Sequence, residues 1–485
     1  MERKVNKLLV ANRGVPAVRV MLTCRDRKIR TTAVYSTPDR LAHHVFMADS
    51  AVHIGEAPPV ESYLNMEHMI NAALQTGSDA IHPGWGFLAE NGDFARMVMD
   101  AGLTWIGPPP EVIRLMGDKI EAKKIAARAD VPTIPGISDV KDVKEIKKWL
   151  NEADVNFPVM IKAAAGGGGR GMFKVESEDG LATAFSQARS EAMKAFGDDT
   201  VLVEKYIESG RHIEVQVVAD EHGNVVHLFE RECTIQRRNQ KIIEEAPSPT
   251  LNADLRNEIC LTAVRLMREI GYRSAGTIEF IFDSVTKKFY FLEVNTRLQV
   301  EHGITELITG LDIVGIMLDV ATGKKLPFKQ PDIHPNRWAL EVRLNAEDPR
   351  SFSPSFGTVT RLQIPQGPNV RVSSGVYEGD DVPPYYDSLF MLLMTAGADR
   401  QDAIRVMDRA LGRNLRVEGI KSLQPLLLSI IRHPAFIAGE FSTRFLEEHH
   451  DELVSMFVEK NSEDEVLKIA KYVAEISALG PQGWM

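Results

Sequence analysis

Cysteine is scarce: Cys24, Cys233 and Cys260 are the only three in 485 residues, they are widely spaced, and none forms a CxxC pair. That excludes a disulfide framework and gives no zinc-site spacing, so a reducing cytoplasm is the expected compartment. Long apolar runs are absent too. No stretch approaches the roughly 18 uninterrupted apolar residues of a membrane span, and the apolar run in MERKVNKLLVANRG is only four residues long, too short for a signal-peptide core. Positive charge is not in excess: 57 Lys plus Arg face 67 Asp plus Glu, a formal charge of −10. A protein that binds nucleic acid through a broad basic face is therefore not expected. Neither an internal repeat nor a low-complexity segment occurs, and GxGxxG is missing, which removes support for a dinucleotide-binding fingerprint.

What remains is an ordinary globular composition, 44% apolar and 26% charged. The length exceeds what one hydrophobic core sustains, so two to four subdomains are expected. The opening KLLVA, NRG, PAVRVMLTCRDRK and TTAVYS reads as strand, turn, helix and strand, with Pro16 in a first helical turn. Further alternation through AVHIG, NMEHMINAALQTG and AIHPGWGFLAEN predicts a parallel α/β unit that closes near residue 118. From 119 a Lys-rich helix, DKIEAKKIAARA, opens a different, α+β texture. Its strands HIEVQVVAD, VVHLFE, GTIEFIFD and KFYFLEV alternate as antiparallel strands do. The last third, from WALEVRLNAED onward, is another mixed unit. Beyond 461, Val466, Ile469, Ala470, Val473 and Ile476 share one helical face, expected to pack first and to dock a partner second.

Three stretches carry chemistry. In MIKAAAGGGGRGM, Lys162 precedes four glycines and strand-like MFKV follows, so this is a hairpin tip and not a Walker loop, which must open a helix. Glycine backbone bracketed by Lys162 and Arg170 favours phosphate contact over a merely flexible turn. In GTIEFIFDSVTKKFYFLEVNTRLQVEH, a turn at SVTKK places Glu279 and Glu293 on paired strands. At Cβ separations of about 5 Å and an effective dielectric near 20 they repel by roughly 3 kcal/mol. With Asn295 they make an all-oxygen set suited to Mg²⁺ or Mn²⁺. Arg297, Gln299 and Glu301 alternate, so an extended segment would project two donors and a general base to one side. The third stretch, ERECTIQRRNQKIIEEAPSP, gathers Arg237, Arg238, Lys241 and Glu245, either an anion site or a solvated charge run.

Together with HPGWGFLAEN, RLMGDK, VRLNAEDP and VPPYYDS, these motifs resemble, in order and over about residues 5 to 455, the biotin carboxylase family of ATP-grasp ligases. The resemblance implies an α/β and α+β fold with a Rossmann-like pre-ATP-grasp domain over 1–118 and an ATP-grasp domain over 119–335. That second domain carries a mobile glycine-rich lid at about 134–206; a C-terminal domain spans 336–460, and the helical tail 461–485 extends past the compact form. It implies ATP contacts at Lys119, Lys162, Gly168, Gly169, Glu204, His212, Gln236, Asn239, Glu279 and Glu293. Glu279, Glu293 and Asn295 would hold about two Mg²⁺ or Mn²⁺ ions. Lys241, Arg297, Gln299, Val300 and Arg343 would bind bicarbonate, Glu301 would deprotonate it, and Arg343 would stabilise the biotin enolate. Lys241, Arg297, Glu301 and Arg343 form the catalytic set.

The implied reaction carboxylates biotin through carboxyphosphate, at the expense of ATP and bicarbonate. No MKM-type biotinyl-lysine motif occurs, so biotin is expected on a separate carrier protein, and a carboxyltransferase on another chain would select acetyl-CoA, propionyl-CoA, pyruvate or 2-oxoglutarate. A homodimer or higher oligomer is implied. RLQVEH and Arg343 argue against another ATP-grasp ligase, and retention of every metal and base position argues against a non-catalytic scaffold. Five positions depart from the family. Asn239 replaces a common His, as in acyl-CoA carboxylase branches such as propionyl-CoA carboxylase, and is expected to alter ribose or phosphate contacts. Val15-Pro16 replaces Glu-Ile, Gly303 replaces Pro, and Leu392 replaces Lys; these are expected to alter contacts between protomers or with a partner.

Overall fold

The computed structural model describes residues 4–164 and 172–458. Gly168 and Gly169, and the tail 461–485, lie outside the described residues. The first unit is a five-stranded parallel sheet ordered Ser50–Gly55, Arg30–Ser36, Lys7–Val10, Ala80–His82, Thr104–Trp105. Its central strand shows why parallel strands read as continuous apolar runs. Leu8 and Val10 join the core formed with Ala17, Val20 and Met21 of the helix Gly14–Asp26, while Leu9 joins Met69, Ala72 and Ala73 of the helix Met66–Thr76.

The second layer is an eight-stranded antiparallel sheet, ordered Phe289–Asn295, Ser274–Asp283, Gly210–Ala219, Val225–Arg237, Gln240–Ala246, Trp338–Asn345, Leu389–Gly397, Val370–Ser374. Alternation explains its two faces. Ile213, Val215, Val217, Ile278, Phe280, Phe282 and Val294 share a core with Ile259, Ala263, Leu266 and Met267 of the helix Ala253–Glu269. The intervening Glu214, Gln216 and Glu279 face the functional site. The sheet does not stop where sequence texture changes: Ile243 pairs with Val342 and Glu244 with Glu341, so three strands from beyond residue 335 extend it. Hydrogen-bond partnership between distant segments leaves no local trace, so this continuity is not visible in the sequence.

A four-stranded antiparallel sheet, Gly136–Ser138, Val201–Lys205, Val159–Ala163, Met172–Val175, projects with its own core of Ile146, Leu150, Ile161, Leu181 and Val203. Val159 pairs with Val175 and Lys162 with Met172, the hairpin expected on either side of the glycine run. The helices Arg400–Arg409, Gln424–Arg432 and Phe445–Val458 complete the C-terminal layer around Leu344, Leu393, Leu426 and Ile430.

Candidate active site

Two cross-strand rows build the floor of the site. Register places Arg231, Glu214, Glu279 and Glu293 abreast on four neighbouring strands, and Gln216, Thr277 and Asn295 abreast in the next row. Residues two apart share a face, so all seven point away from the apolar core. Arg231 ties the rows together, bonding Glu214 and donating to Gln216 at 2.8 Å, Thr277 at 3.2 Å and Thr305 at 2.9 Å. It is fully buried, a cation whose donors are met by a planar fork of partners.

Lys241 stands over this floor. Its ammonium reaches Glu279 at 2.8 Å and Glu301 at 2.6 Å, and also bonds Glu214. The second oxygen of Glu301 accepts from Arg343 at 3.0 Å, and Arg343 also holds Glu244 at 2.6 Å. Burial works against ionisation of Glu301, but Lys241, Arg343 and Arg231 together hold its carboxylate well below the usual range. Glu279 is likewise held ionised against its burial by Lys241 and by His212 at 3.0 Å. Glu293, in register with Glu279, goes the other way: burial and the facing Glu279 push it up.

The remaining expected residues fall into two flanking groups. Arg297 bonds Asn295 at 3.0 Å, Gln299 at 3.1 Å and Glu90 at 2.8 Å. On the projecting sheet, buried Glu204 is bound by Lys162 at 2.6 Å and by Lys123 of the helix Lys119–Arg128. Burial depresses the neighbouring Lys119 ammonium, with Glu293 opposing. Gln236 donates to His212 Nδ1 at 2.9 Å, Val300 is half-buried beside Glu301, and Asn239 is exposed at a tight turn.

Several expectations are corrected. Arg297, Gln299 and Glu301 do not alternate along an extended strand: the strand ends at Asn295, and Glu301 has φ −80° and ψ 11° at the start of the helix His302–Thr309. The turn leaves Arg297 and Gln299 together and swings Glu301 to Lys241 and Arg343. The basic run at 237–241 is neither one anion site nor a solvated stretch, because Arg237 pairs with Glu347, Arg238 is exposed and only Lys241 enters the cluster. Val15, Leu392 and Gly303 are interior and not at a surface where protomers could meet. Val15 and Leu392 share an apolar cluster with Ile304 and Met394.

Glu214, Glu244, Arg231, Glu90 and Glu341 were not singled out in the sequence. For Glu214 a signal existed, since it lies two residues from His212 in RHIEVQ and so on the same face. Asn239 has φ 66° and Arg238 φ 47°, and asparagine tolerates this left-handed turn better than histidine does.

The donor set fits a divalent metal. A buried carboxylate, Glu279, and a half-buried one, Glu293, stand abreast next to the amide oxygen of Asn295, the first pushing the second toward protonation, and a hard cation among these oxygens would relieve their repulsion.

An antiparallel sheet with carboxylate rows, a projecting small sheet carrying lysines, and a Rossmann-like unit alongside define an ATP-grasp ligase. The comparisons agree. The family models "Biotin carboxylase, N-terminal domain", "Carbamoyl-phosphate synthase L chain, ATP binding domain" and "Biotin carboxylase C-terminal domain" match residues 4–113, 118–329 and 341–448. The chain is 47% identical over 443 residues to biotin carboxylase of Haemophilus influenzae, covering 91% of this chain and 98% of that one. It is 45% identical over 474 residues to the 2-oxoglutarate carboxylase small subunit of Hydrogenobacter thermophilus, covering 98% and 99%. A crystal structure of the biotin carboxylase domain dimer of that organism's 2-oxoglutarate carboxylase, with MgADP, ADP and bicarbonate, superposes with a TM-score of 0.89 at 45% identity, covering 93% of this chain and 99% of that one. The chain belongs to the biotin carboxylase family.

Proposed function

We propose that the chain is the biotin carboxylase subunit of a biotin-dependent carboxylase, acting on ATP, bicarbonate and the biotin of a separate carrier protein. The observation that carries this reading is the clamp of Glu301 between Lys241 and Arg343, directly beside the Glu279, Glu293 and Asn295 oxygens. Bicarbonate is a weak nucleophile until its remaining proton leaves. An ionised carboxylate among cationic donors can take that proton while Lys241, Arg297, Gln299 and the Val300 N–H hold the oxygens.

Mg²⁺ or Mn²⁺ held by Glu279, Glu293 and Asn295 would supply charge neutralisation at the ATP phosphates. Lys119, Lys162, Gly168, Gly169, Glu204, His212, Gln236 and Asn239 would bind the nucleotide, with the lid at about 134–206 bringing Lys162 and the glycines over it. Arg343 would stabilise the enolate of biotin, whose ureido nitrogen is otherwise unreactive. The domain limits that accompany this reading are 1–118, 119–335 and 336–460.

The match to the 2-oxoglutarate carboxylase small subunit over 98% of this chain and 99% of that one supports a biotin carrier on another chain, and with it a separate carboxyltransferase that fixes the final acceptor. We propose a homodimer or higher oligomer on the strength of the dimeric relative. A cytoplasmic setting is supported by three buried, unpaired cysteines; among the described residues no helix is long and apolar enough to cross a membrane. The deciding experiment is ATP hydrolysis by the folded, Mg²⁺-supplemented protein. Turnover that requires bicarbonate and rises with free biotin is expected; turnover indifferent to both overturns the reading.

A further inference from the structure

Glu341 sits mid-strand in Trp338–Asn345, fully buried, and neither of its carboxyl oxygens has a hydrogen-bond partner among the described residues. It stands abreast of Glu244 on one side and Met394 on the other, while Arg343, on the same face, is abreast of Leu392. The helix His302–Thr309 covers it: a Cβ at Gly303 would come within 3.5 Å of Glu341 Oε2 and 2.3 Å of Met394 Sδ. Val15, Ile304, Leu392 and Met394 make this corner apolar.

The charged groups that act on Glu341 are Glu244, Arg343, Glu301 and Arg231. Both cations are already committed, Arg343 to Glu244 at 2.6 Å and Glu301 at 3.0 Å, Arg231 to Glu214. Burial, reinforced by Glu244, pushes the Glu341 carboxyl well up, and burial pushes Glu244 itself up to about 7. A lysine at 392 would project onto the face shared by Glu341 and Arg343; the leucine there, with valine at 15 and a Met394 sulfur against Gly303, leaves Glu341 without a cation of its own.

We propose that Glu341 is held as a neutral carboxylic acid beside the ionised Glu244 and acts as a positioning residue for Arg343. Two carboxyls abreast in an apolar corner retain one proton between them. Arg343 therefore faces a pair carrying one negative charge, not two, and keeps more positive potential for the substrate oxygen it meets. This last step rests on the role proposed for Arg343; the charge state of Glu341 does not.

Infrared difference spectroscopy in H₂O and D₂O at pH 7 tests the charge state independently of turnover. A protonated-carboxyl C=O band, shifted down in D₂O, is expected in the wild type and lost in Glu341→Gln. The band is also lost in Leu392→Lys, in which residue 341 is intact but faces an ammonium. Should that variant not fold, Val15→Glu/Leu392→Lys carries the same arm. Glu341→Gln, which mimics the neutral acid, is expected to keep biotin-stimulated ATP hydrolysis within about two-fold of wild type. A wild type with no such band, a band that survives Glu341→Gln, or a drop of about ten-fold or more in that variant overturns the proposal. A band present in a protein that hydrolyses no ATP would instead retain the charge state and sink the proposed function.

Discussion

Glu301 is clamped from both sides: Lys241 Nζ lies 2.6 Å from its Oε1, and an Arg343 guanidinium nitrogen lies 3.0 Å from its Oε2. The two cations come from adjacent strands of one sheet, Gln240–Ala246 and Trp338–Asn345, so the carboxylate is fixed by rigid elements while its own backbone is a turn. Held this way, the carboxylate stays ionised, well below the usual carboxylate range. In the base role proposed for it, it would become a better proton acceptor when a bound anion draws one of the cations off it.

Glu301→Gln is accordingly expected to lower bicarbonate-dependent turnover by about 10²- to 10⁴-fold, with nucleotide affinity unchanged. Steady-state kinetics paired with calorimetric ADP titration read the two separately. Because Glu301 is depressed well below the carboxylate range, its protonation contributes no acid limb to the rate profile between about pH 6 and 8. Turnover that survives the substitution assigns the base elsewhere.

Glu279 and Glu293 give a prediction of opposite sign for stability and for metal binding. They face each other, and among the described residues only Glu279 of the two is ion-paired, with Lys241 at 2.8 Å and His212 at 3.0 Å, while Lys119 acts on Glu293 from a longer range. Removing the unpaired charge with Glu293→Gln relieves a repulsion of up to about 3 kcal/mol. The metal-free variant is expected to melt at or above the wild-type temperature, and the increment that Mg²⁺-ADP adds is expected to disappear. A variant less stable without metal and equally stabilised by Mg²⁺-ADP contradicts the assignment.

Buried Glu204 neutralises Lys162 and Lys123 across the boundary between the projecting sheet and the helix Lys119–Arg128. Glu204→Gln leaves two ammonium groups facing each other and is expected to cost about 3 kcal/mol. Lys162→Met removes only one partner of the carboxylate, so it is expected to raise the KM for ATP with a smaller loss of stability. Urea denaturation and ATP saturation curves distinguish the two; equal losses of stability would mean that Lys162 serves the fold and not the nucleotide.

How far the sequence reveals this arrangement follows from what is local. Glu279 facing Glu293 was legible because a short turn at SVTKK fixes the register of its hairpin. The parallel unit was legible because buried strands and helices repeat along the chain. Glu244 beside Arg343 was not, because those residues are 99 apart and meet only through strand pairing. The position of Glu301 was misread because alternation implies an extended chain, whereas a helix that starts at the next residue turns the backbone. Glu341 gave no signal: an acid in a strand reads as solvated until the element that covers it is known.

Glu306 extends the same logic to pH. It accepts from Arg19 and from Arg371, each at 2.6 Å, joining the helix Gly14–Asp26, the helix His302–Thr309 and the strand Val370–Ser374. Burial opposes its charge, but His302, Arg19 and Arg371 lower it from 4.5 to about 2. A carboxyl depressed on folding stabilises the native state above its unfolded value and loses that contribution as pH falls through the folded one. At about 1.4 kcal/mol per unit, the ionised group contributes roughly 3 kcal/mol at neutral pH. Glu306→Gln is expected to lower the free energy of unfolding by about that much at pH 7. The gap between the two proteins should narrow as pH drops below 4.5 toward 2, because the wild type then also carries an uncharged group. Urea unfolding of both proteins across that range measures the gap, and a constant difference would show that Glu306 contributes through its shape and not its charge.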